Sequence, residues 1–335
     1  MQIAGIKGMK VMKPNEGLLM FRERAIQFYK MYEKIFIAMA KFITVIYMLI
    51  EINSTIGYAP ILTRGYIIGV IACVGALLPI QYIMIVSMLI ISIHLLSFNL
   101  LIGLGMSLIC LCLYVFYIRL YPKESLIIVL TILAFKLNLH YAVPIIAGLF
   151  GGFQIVIAIL IGILGVFSIH CIEPIVQVAL KSEDSLRLCL DSLDIVVTQV
   201  FQNPTMLATM SILLVVFCIV FIVKRQMIDY APYIGIVIGG AMNMLGFVIA
   251  ILFLNVQVNV LLMVVMSILS VVLASIIQFM SKTLDYSRSE TVQFEDEDNF
   301  YFVKVVPKIK AQADYTKIEK IYTGHNKKEV VEIEE

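Results

Sequence analysis

The sequence lacks the signatures of the common enzyme classes. It contains no G-x-x-x-x-G-K-[ST] loop, so the chain cannot itself be the ATPase of a pump. G-x-S-x-G and H-E-x-x-H are also missing, which argues against two frequent kinds of hydrolase. The four histidines are scattered without metal-ligand spacing, and no basic stretch interleaves with aromatic residues. We therefore expect a protein that is not an enzyme, uses no metal or cofactor and binds no nucleic acid.

Charged residues are scarce, and long apolar runs take their place. Apolar residues make up 61% of the 335 positions, whereas ordinary globular domains have about 45–50%. A soluble protein of this length could not bury so much apolar surface, and polar gaps separate the runs. The sequence thus predicts an all-α polytopic membrane protein. The first residues lack the apolar core of a cleavable signal peptide, so the first span is expected to direct insertion.

The apolar runs predict about eight transmembrane helices, since a helix needs about 20 residues to cross a bilayer. The predicted spans cover residues 35–50, 63–79, 81–96, 100–118, 140–170, 205–223, 230–254 and 258–280.

Three segments outside the spans are polar. Residues 1–34 mix basic and apolar positions, which predicts a cytoplasmic amphipathic helix at the lipid headgroups. Residues 171–203 carry an apolar stripe at helical spacing together with acidic residues, which predicts an amphipathic segment outside the membrane. The membrane domain therefore covers residues 35–281, and residues 282–335 form a cytoplasmic tail.

The distribution of Lys and Arg predicts the orientation. These residues concentrate at the N-terminus, in residues 119–136, at Lys224 and Arg225, and in the tail. Because cytoplasmic loops are enriched in Lys and Arg, both termini are expected to be cytoplasmic, and Arg64 alone departs from this pattern. The net acidic segment 171–203 would then be external. Cys171 and Cys189 are the only cysteines expected to face an oxidising side together.

A broken segment interrupts the regular succession of spans. Residues 126–135 are an apolar piece with about half the length that a span needs. The stretch HYAVPIIAGLFGG (residues 140–152) follows, and its proline and glycines are poor helix formers in a solvent that cannot repair the backbone. One interpretation is a half-helix that enters the membrane and returns, followed by a helix broken at its cytoplasmic end. Transporters use such discontinuous helices to hold ions or substrates.

The alternative is a kinked helix whose glycines allow close packing, because Gly148 and Gly152 have the small-xxx-small spacing of packed membrane helices. The two lysines of this region also have two interpretations, since they either serve a function or reach the cytoplasmic interface with their long side chains. Glu51, at the end of the first span, is expected to be solvated. Under the first interpretation the candidate substrate path comprises Lys41, Lys136, His140, Pro144, Gly148, Gly151 and Gly152.

The tail contains a pattern typical of a β-hairpin. In TVQFEDEDNFYFVKVVPKI, apolar and polar residues alternate on both sides of an acidic turn at residues 296–299, and Pro307 ends the pattern. An isolated two-stranded hairpin is marginal in water, so it is expected to dock on its own membrane domain, a second copy or a partner. The alternative is a loose tail. The candidate docking residues are Phe294, Phe300 and Phe302.

Two stretches resemble a group of multi-spanning membrane proteins from clostridial Gram-positive bacteria. They are RLYPKESLIIVLTILAFKLNLHYAVPIIAGLFG (residues 119–151) and LDYSRSETVQFEDEDNFYFVKVVPKIK (residues 284–310). Such proteins are loosely labelled ABC-transporter permeases. The resemblance implies a bacterial plasma membrane and carries over no catalytic residue.

Two functions from different classes remain open. The first is a permease-like transport component, with residues 126–152 lining the path and Lys41 and Lys136 near an anionic group. The second is a non-enzymatic scaffold or assembly factor of the cell envelope, in which the tail and the external segment are the working surfaces. The expected partners are the lipid bilayer and either membrane or ATPase subunits or a second copy of the chain.

Overall fold

Helices make up almost the whole fold of the chain, as the long apolar runs predict. The computed structural model describes residues 14–79, 81–181, 185–254, 256, 258–281, 290–295 and 299–305. The helices that it contains are α1 (Pro14–Met31), α2 (Glu33–Thr55), α3 (Gly65–Leu77), α4 (Tyr82–Phe98), α5 (Leu100–Leu113), α6 (Ser125–Lys136), α7 (Ala142–Phe150), α8 (Ile155–His170), α9 (Ile172–Lys181), α10 (Ser185–Val196), α11 (Pro204–Val223), α12 (Ala231–Leu254) and α13 (Val260–Ser281). Single π-helical turns follow α5 at Tyr114–Ile118 and α10 at Val197–Phe201.

Within the described residues, six helical stretches are long and apolar enough to cross a membrane, and the all-α polytopic fold predicted from the sequence is confirmed. The helices α3 and α4 are apolar but shorter, at 13 and 17 residues. The six long stretches are Glu33–Thr55, Leu100–Ile118, Ile155–Lys181, Pro204–Val223, Ala231–Leu254 and Val260–Ser281.

The described residues divide into two compact units. One unit contains residues 31–281 and thus all six long stretches. The other contains residues 14–30 of α1 and the C-terminal hairpin. The start of α11 within the larger unit follows the local sequence, because Asn203 accepts hydrogen bonds from the backbone of Thr205 and Met206 and Pro204 occupies the first turn.

The helices α6 and α7 form a hairpin that enters the helix bundle and returns. Helix α6 has 12 residues and is about 18 Å long, so it cannot cross a hydrocarbon layer of about 30 Å. After α7, the Gln154 side chain donates a hydrogen bond to the Glu124 carboxylate at 3.4 Å, and Glu124 directly precedes α6. The chain has therefore returned to the level at which α6 began. We call this level the entry end of the bundle.

Helix α8 then leaves the entry end parallel to α6. Gly162 lies against Thr131, and Gly165 lies against Ile132, so both helices advance in the same direction. The predicted span over residues 140–170 is wrong in its first part. That stretch contains a short returning helix, a break after Phe150 and a separate helix that begins at Ile155. The short apolar helix of the first interpretation is present, and the separate helix α7 follows it rather than the start of a broken span.

Two apolar cores lie on the two sides of this hairpin. One core packs α2, α3 and α4 against α6, with the large side chains of Leu49, Ile83 and Ile128 almost completely buried. The other core gathers the C-terminal helices α11, α12 and α13 with α8, around Phe217 and Phe247. Helix α7 packs on α11, α12 and α13, whereas α6 packs on α8 and α4. The hairpin thus joins the two cores, because α6 packs in one core and α7 in the other.

The amphipathic segment predicted over residues 171–203 forms α9, α10 and the π-helical turn that follows. The predicted apolar stripe is largely exposed among its described members, as at Leu190 and Leu193. Cys171 is buried and Cys189 is exposed, and both are free cysteines.

The predicted tail hairpin is present, with β1 at Glu290–Glu295 and β2 at Phe300–Val305 paired antiparallel. Val292 pairs with Val303, and Gln293 pairs with Phe302, so one face of the hairpin is apolar and the other is mixed. Residues 296–298 of the predicted acidic turn and Pro307 lie outside the described residues.

Candidate functional site

The tip of the α6–α7 hairpin is the candidate functional site. It comprises residues 137–141, where the C-terminus of α6 meets the N-terminus of α7 inside the bundle. Asn138 adopts a left-handed conformation with φ of 57°, which asparagine tolerates better than most residues and which reverses the chain. Two half-helices whose ends meet within a membrane bundle are the arrangement that transporters use around bound ions and substrates.

Aromatic rings hold the tip in place. The His140 imidazole stacks on the Phe135 ring with a centroid separation of 4.4 Å and lies 4.0 Å from the Tyr141 ring. Phe247 of α12 contacts Tyr141 edge to face at 5.2 Å. The turn therefore packs against both α6, which precedes it, and α12, which is distant in sequence.

Three of the five buried side-chain polar atoms that lack a hydrogen-bond partner among the described residues lie at the depth of the tip. The Asn243 side-chain amide donates a hydrogen bond to the Tyr141 carbonyl at 3.1 Å, while its Oδ1 atom is buried and unpaired. His140 Nδ1 and Ser267 Oγ are likewise buried without a partner among the described residues. A buried polar group left without a partner costs about 1–3 kcal/mol, so three such groups in one region call for a function or a ligand.

Helix packing places Ser267 at the same level as Asn243. Gly240 of α12 contacts Val271 of α13, and the two helices are antiparallel neighbours joined by a short loop. Asn243 and Ser267 each lie about one turn from this contact, on the side toward the loop. Since Asn243 also bonds Tyr141, the side chains from α12 and α13 and the tip lie at one depth.

Pro144 lies in the first turn of α7, where a missing backbone N–H leaves no hydrogen bond unmade. The proline therefore starts this helix and does not kink it. Gly148 faces α11, and a Cβ atom there would lie 2.9 Å from the Val220 Cβ and 3.2 Å from the Phe217 carbonyl oxygen. This glycine allows α7 and α11 to pack closely.

Gly151 and Gly152 follow the end of α7 at Phe150. Gly152 is therefore not on one helix face with Gly148, and the small-xxx-small interpretation of this pair is wrong. A Cβ atom at Gly151 would lie 2.6 Å from the Ala147 carbonyl oxygen, whereas at Gly152 it would meet the flexible end of Gln154. Gly151 is thus required by the backbone and Gly152 is more tolerant.

Both candidate lysines are engaged by other groups. The Lys41 ammonium donates a hydrogen bond to the Leu78 carbonyl at 2.7 Å, at the C-terminal end of α3. Lys136, in the last turn of α6, forms an ion pair with Glu51 of α2 at 3.0 Å. Glu51 is only partly solvated, because its side chain is 26% exposed and paired with Lys136. Lys136 is next to the tip, whereas Lys41 belongs to another part of the bundle.

Lys224 completes the hairpin at the entry end, although the sequence showed it only as an orientation signal. Its ammonium donates hydrogen bonds to the Leu149 carbonyl at 2.8 Å and the Gly151 carbonyl at 3.2 Å. These are among the carbonyls that a helix C-terminus leaves unpaired, and a cation there also suits the helix dipole.

Asn243 and Ser267 were missed by the sequence reasoning as well. The signal that could have found Asn243 is a lone asparagine within the 24-residue apolar helix α12.

The three candidate docking residues do not share a face of the tail hairpin. Phe300 and Phe302 occupy positions on the mixed face and are 69% and 70% exposed. Phe294, whose side chain lies outside the described part of the chain, occupies a register position on the opposite, apolar face.

No protein-family model, curated protein or solved structure shows significant similarity to this chain. Its class therefore follows from the fold alone: it is an integral membrane protein with several membrane-spanning helices.

Proposed function

We propose that this protein is a permease-like transport component of a bacterial plasma membrane and that the tip of the α6–α7 hairpin lies on its path. The observation that carries the proposal is the coincidence of two half-helix ends with unpaired buried polar atoms on His140, Asn243 and Ser267. In a bilayer, irregular backbone is tolerated where it is buried in protein or lines a water-filled cavity. Unpaired polar atoms beside the irregular backbone of the tip favour a water-filled cavity there.

The tip favours a small cation or a hydrogen-bond donor over an anion. Lys136 is neutralised by Glu51, and Lys41 is bound to a helix end, so neither offers an unengaged positive charge. The Asn243 Oδ1 and Ser267 Oγ atoms can both accept hydrogen bonds or contact a cation. The expectation that the two lysines lie near an anionic group on a transport path stays a prediction.

The orientation predicted from Lys and Arg is part of the proposal. The entry end carries Arg119 and Lys123 before α6 and Lys224 and Arg225 after α11. Short loops rich in Lys and Arg are typical of the cytoplasmic side. We therefore place the entry end, and both termini, in the cytoplasm.

Cysteine accessibility tests whether the tip lies on a water-filled path. Leu137→Cys, in a variant whose six native cysteines are replaced, places a thiol at an exposed position of the tip. We expect a small cationic methanethiosulfonate to modify it in protein reconstituted in vesicles. Leu104→Cys on α5, also exposed, is the matched control and should react only with a membrane-permeant maleimide.

Equal protection of both thiols from the cationic reagent would contradict the proposal, because the tip would then be sealed by protein or lipid. Modification of Leu137→Cys that is slowed by Na⁺ or K⁺ in the buffer would identify the cation as a ligand of the tip.

A scaffold function is the second candidate, and the exposure of Phe300 and Phe302 favours it. Affinity purification from detergent-solubilised membranes, with the full chain and with a chain ending at residue 283, separates the two candidates. Capture of envelope-assembly proteins that depends on the tail would support the scaffold. Capture of an ATPase would support the transport component.

A further inference from the structure

A cavity of about 450 Å³ lies on the opposite side of α6 from α7 and belongs to neither function above. Its walls come from α2, α4, α5, α6 and α8, and α9 and α10 complete it. Its size falls within the range of about 300–1,000 Å³ that is typical of small-molecule sites. Thioethers adapt to flexible ligands, and four of them line the cavity, from Met48, Met84, Met88 and Met106.

The polar groups of this cavity are concentrated at the end away from the entry end. Glu51 and Lys136 are the only charged side chains among its described lining residues. Ser168 of α8 lies at nearly the same level as Lys136, because α8 runs parallel to α6 with Gly165 against Ile132. The part of the cavity nearer the entry end is lined by aliphatic and methionine side chains, and Ser87 there is bonded to its own helix.

The ion pair lies toward the end of the bundle opposite the entry end. Helices α2 to α5 alternate in direction through short connections, and α5 returns to the entry end, so α2 ends at the opposite end with Thr55. Glu51 lies about 6 Å before that end. From Lys136 back to Ile128, the cavity follows α6 for about 12 Å toward the entry end.

We propose that this cavity binds one acyl chain of a zwitterionic lipid whose headgroup contacts the Glu51–Lys136 pair. The chain would lie along α6, with the ammonium of the headgroup near Glu51 and the phosphate near Lys136. The two side chains remain 26% and 43% exposed, so a headgroup can reach both. The inference does not depend on whether the protein transports anything.

The charge balance selects the headgroup. Surrounding lipid is as apolar as the cavity, so burial of the chain alone discriminates little between lipids. An anionic headgroup would attract Lys136 and leave the Glu51 carboxylate without a cationic partner. A zwitterionic headgroup supplies one charge of each sign and leaves neither group unpaired.

Native mass spectrometry of delipidated protein tests the proposal. The probes are phosphatidylethanolamine, phosphatidylglycerol and diacylglycerol with identical acyl chains. We expect phosphatidylethanolamine to be retained about tenfold more tightly than the other two, which corresponds to about 1.4 kcal/mol. The double variant Glu51→Gln/Lys136→Gln should lose this preference while still binding all three lipids weakly.

A pair of glycines provides the matched steric control. Gly105 lines the cavity, Gly69 of α3 does not, and a Cβ atom at either position meets nothing within 4 Å. Gly105→Phe should therefore fill the cavity and abolish lipid retention without disturbing the fold, and Gly69→Phe should not. Equal retention of the three lipids, or unchanged retention by Gly105→Phe with an unchanged melting temperature, would overturn the proposal.

Discussion

At the scale of single residues, two positions near the hairpin have opposite tolerances although both look like helix breakers in the sequence. Gly148 contacts α11 so closely that no side chain fits, whereas Pro144 lies where its ring is accommodated. Packing against α11 decides the tolerance at Gly148, whereas the position in the first turn of α7 decides it at Pro144.

Gly148→Ala should therefore destabilise the protein. The added methyl group must displace Val220 or the backbone at Phe217, and overpacking of this kind costs about 1–3 kcal/mol. Gly69→Ala is the matched control, since its Cβ atom meets nothing within 4 Å and alanine is the better helix former. The melting temperatures in detergent should fall for the first variant and stay level or rise for the second. Equal melting temperatures would show that α11 moves freely away from α7.

Pro144→Ala should change the stability by less than about 1 kcal/mol, because a first-turn proline neither removes a hydrogen bond nor strains the helix. Ile146→Pro, two residues later in the same helix, should cost about 3 kcal/mol or more for the opposite reason. Thermal unfolding of the two variants in the same detergent measures the contrast. A large loss of stability in Pro144→Ala would mean that the ring itself fixes the tip.

At the scale of elements, the α6–α7 hairpin is held at both of its ends by side chains from other helices. Asn243 binds the start of α7, and Lys224 binds the carbonyls at its end. Helix α7 has nine residues, and a helix this short is not stable by itself. Its stability therefore depends on these contacts and on the apolar core around it.

Lys224→Met should loosen the end of α7, since the methionine keeps the apolar stem and loses the ammonium that binds Leu149 and Gly151. We expect faster amide exchange across residues 147–151 and a modest loss of stability of about 1–2 kcal/mol. Arg225→Met removes a neighbouring cation that lies 4.0 Å over the Phe221 ring and should leave exchange in α7 unchanged. If both variants increased amide exchange in α7 equally, the loss of net charge at the entry end would explain the effect and the lost hydrogen bonds would not.

At the scale of the whole molecule, the hairpin and α8 both connect the two apolar cores. Helix α6 belongs to the core of the N-terminal helices and α7 to that of the C-terminal helices. A movement of one core relative to the other would therefore act on the tip, which is the part that a transport component would need to open and close.

The orientation of the whole domain is tested by one native thiol and one introduced thiol. Cys189 is exposed on α10, and Met227, in the loop after α11, is fully exposed. In intact cells, an impermeant maleimide should label Cys189 as the only remaining cysteine, and it should reach Met227→Cys only after lysis. The reverse pattern would place the entry end outside and would invert the proposed orientation.

The sequence by itself determined the features that depend on local composition and periodicity. Apolar runs predicted the membrane helices, and the alternating pattern predicted β1 and β2. The start of α11 is set by the local residues Asn203 and Pro204. The length of residues 126–135 also predicted a half-helix, because too few apolar residues are present to cross a bilayer. Each of these properties is decided within one turn, strand or helix.

Only the tertiary structure decided where the broken segment goes and what meets it. Helix α7 is apolar on nearly all faces, so its sequence does not indicate whether it packs on α8 or on α11 to α13. The contact of Asn243 with Tyr141 joins residues 102 positions apart, and that of Lys224 with Leu149 joins residues 75 apart. Pairings over such distances are set by which helices pack together to bury apolar surface and satisfy polar groups, and no local pattern records that choice.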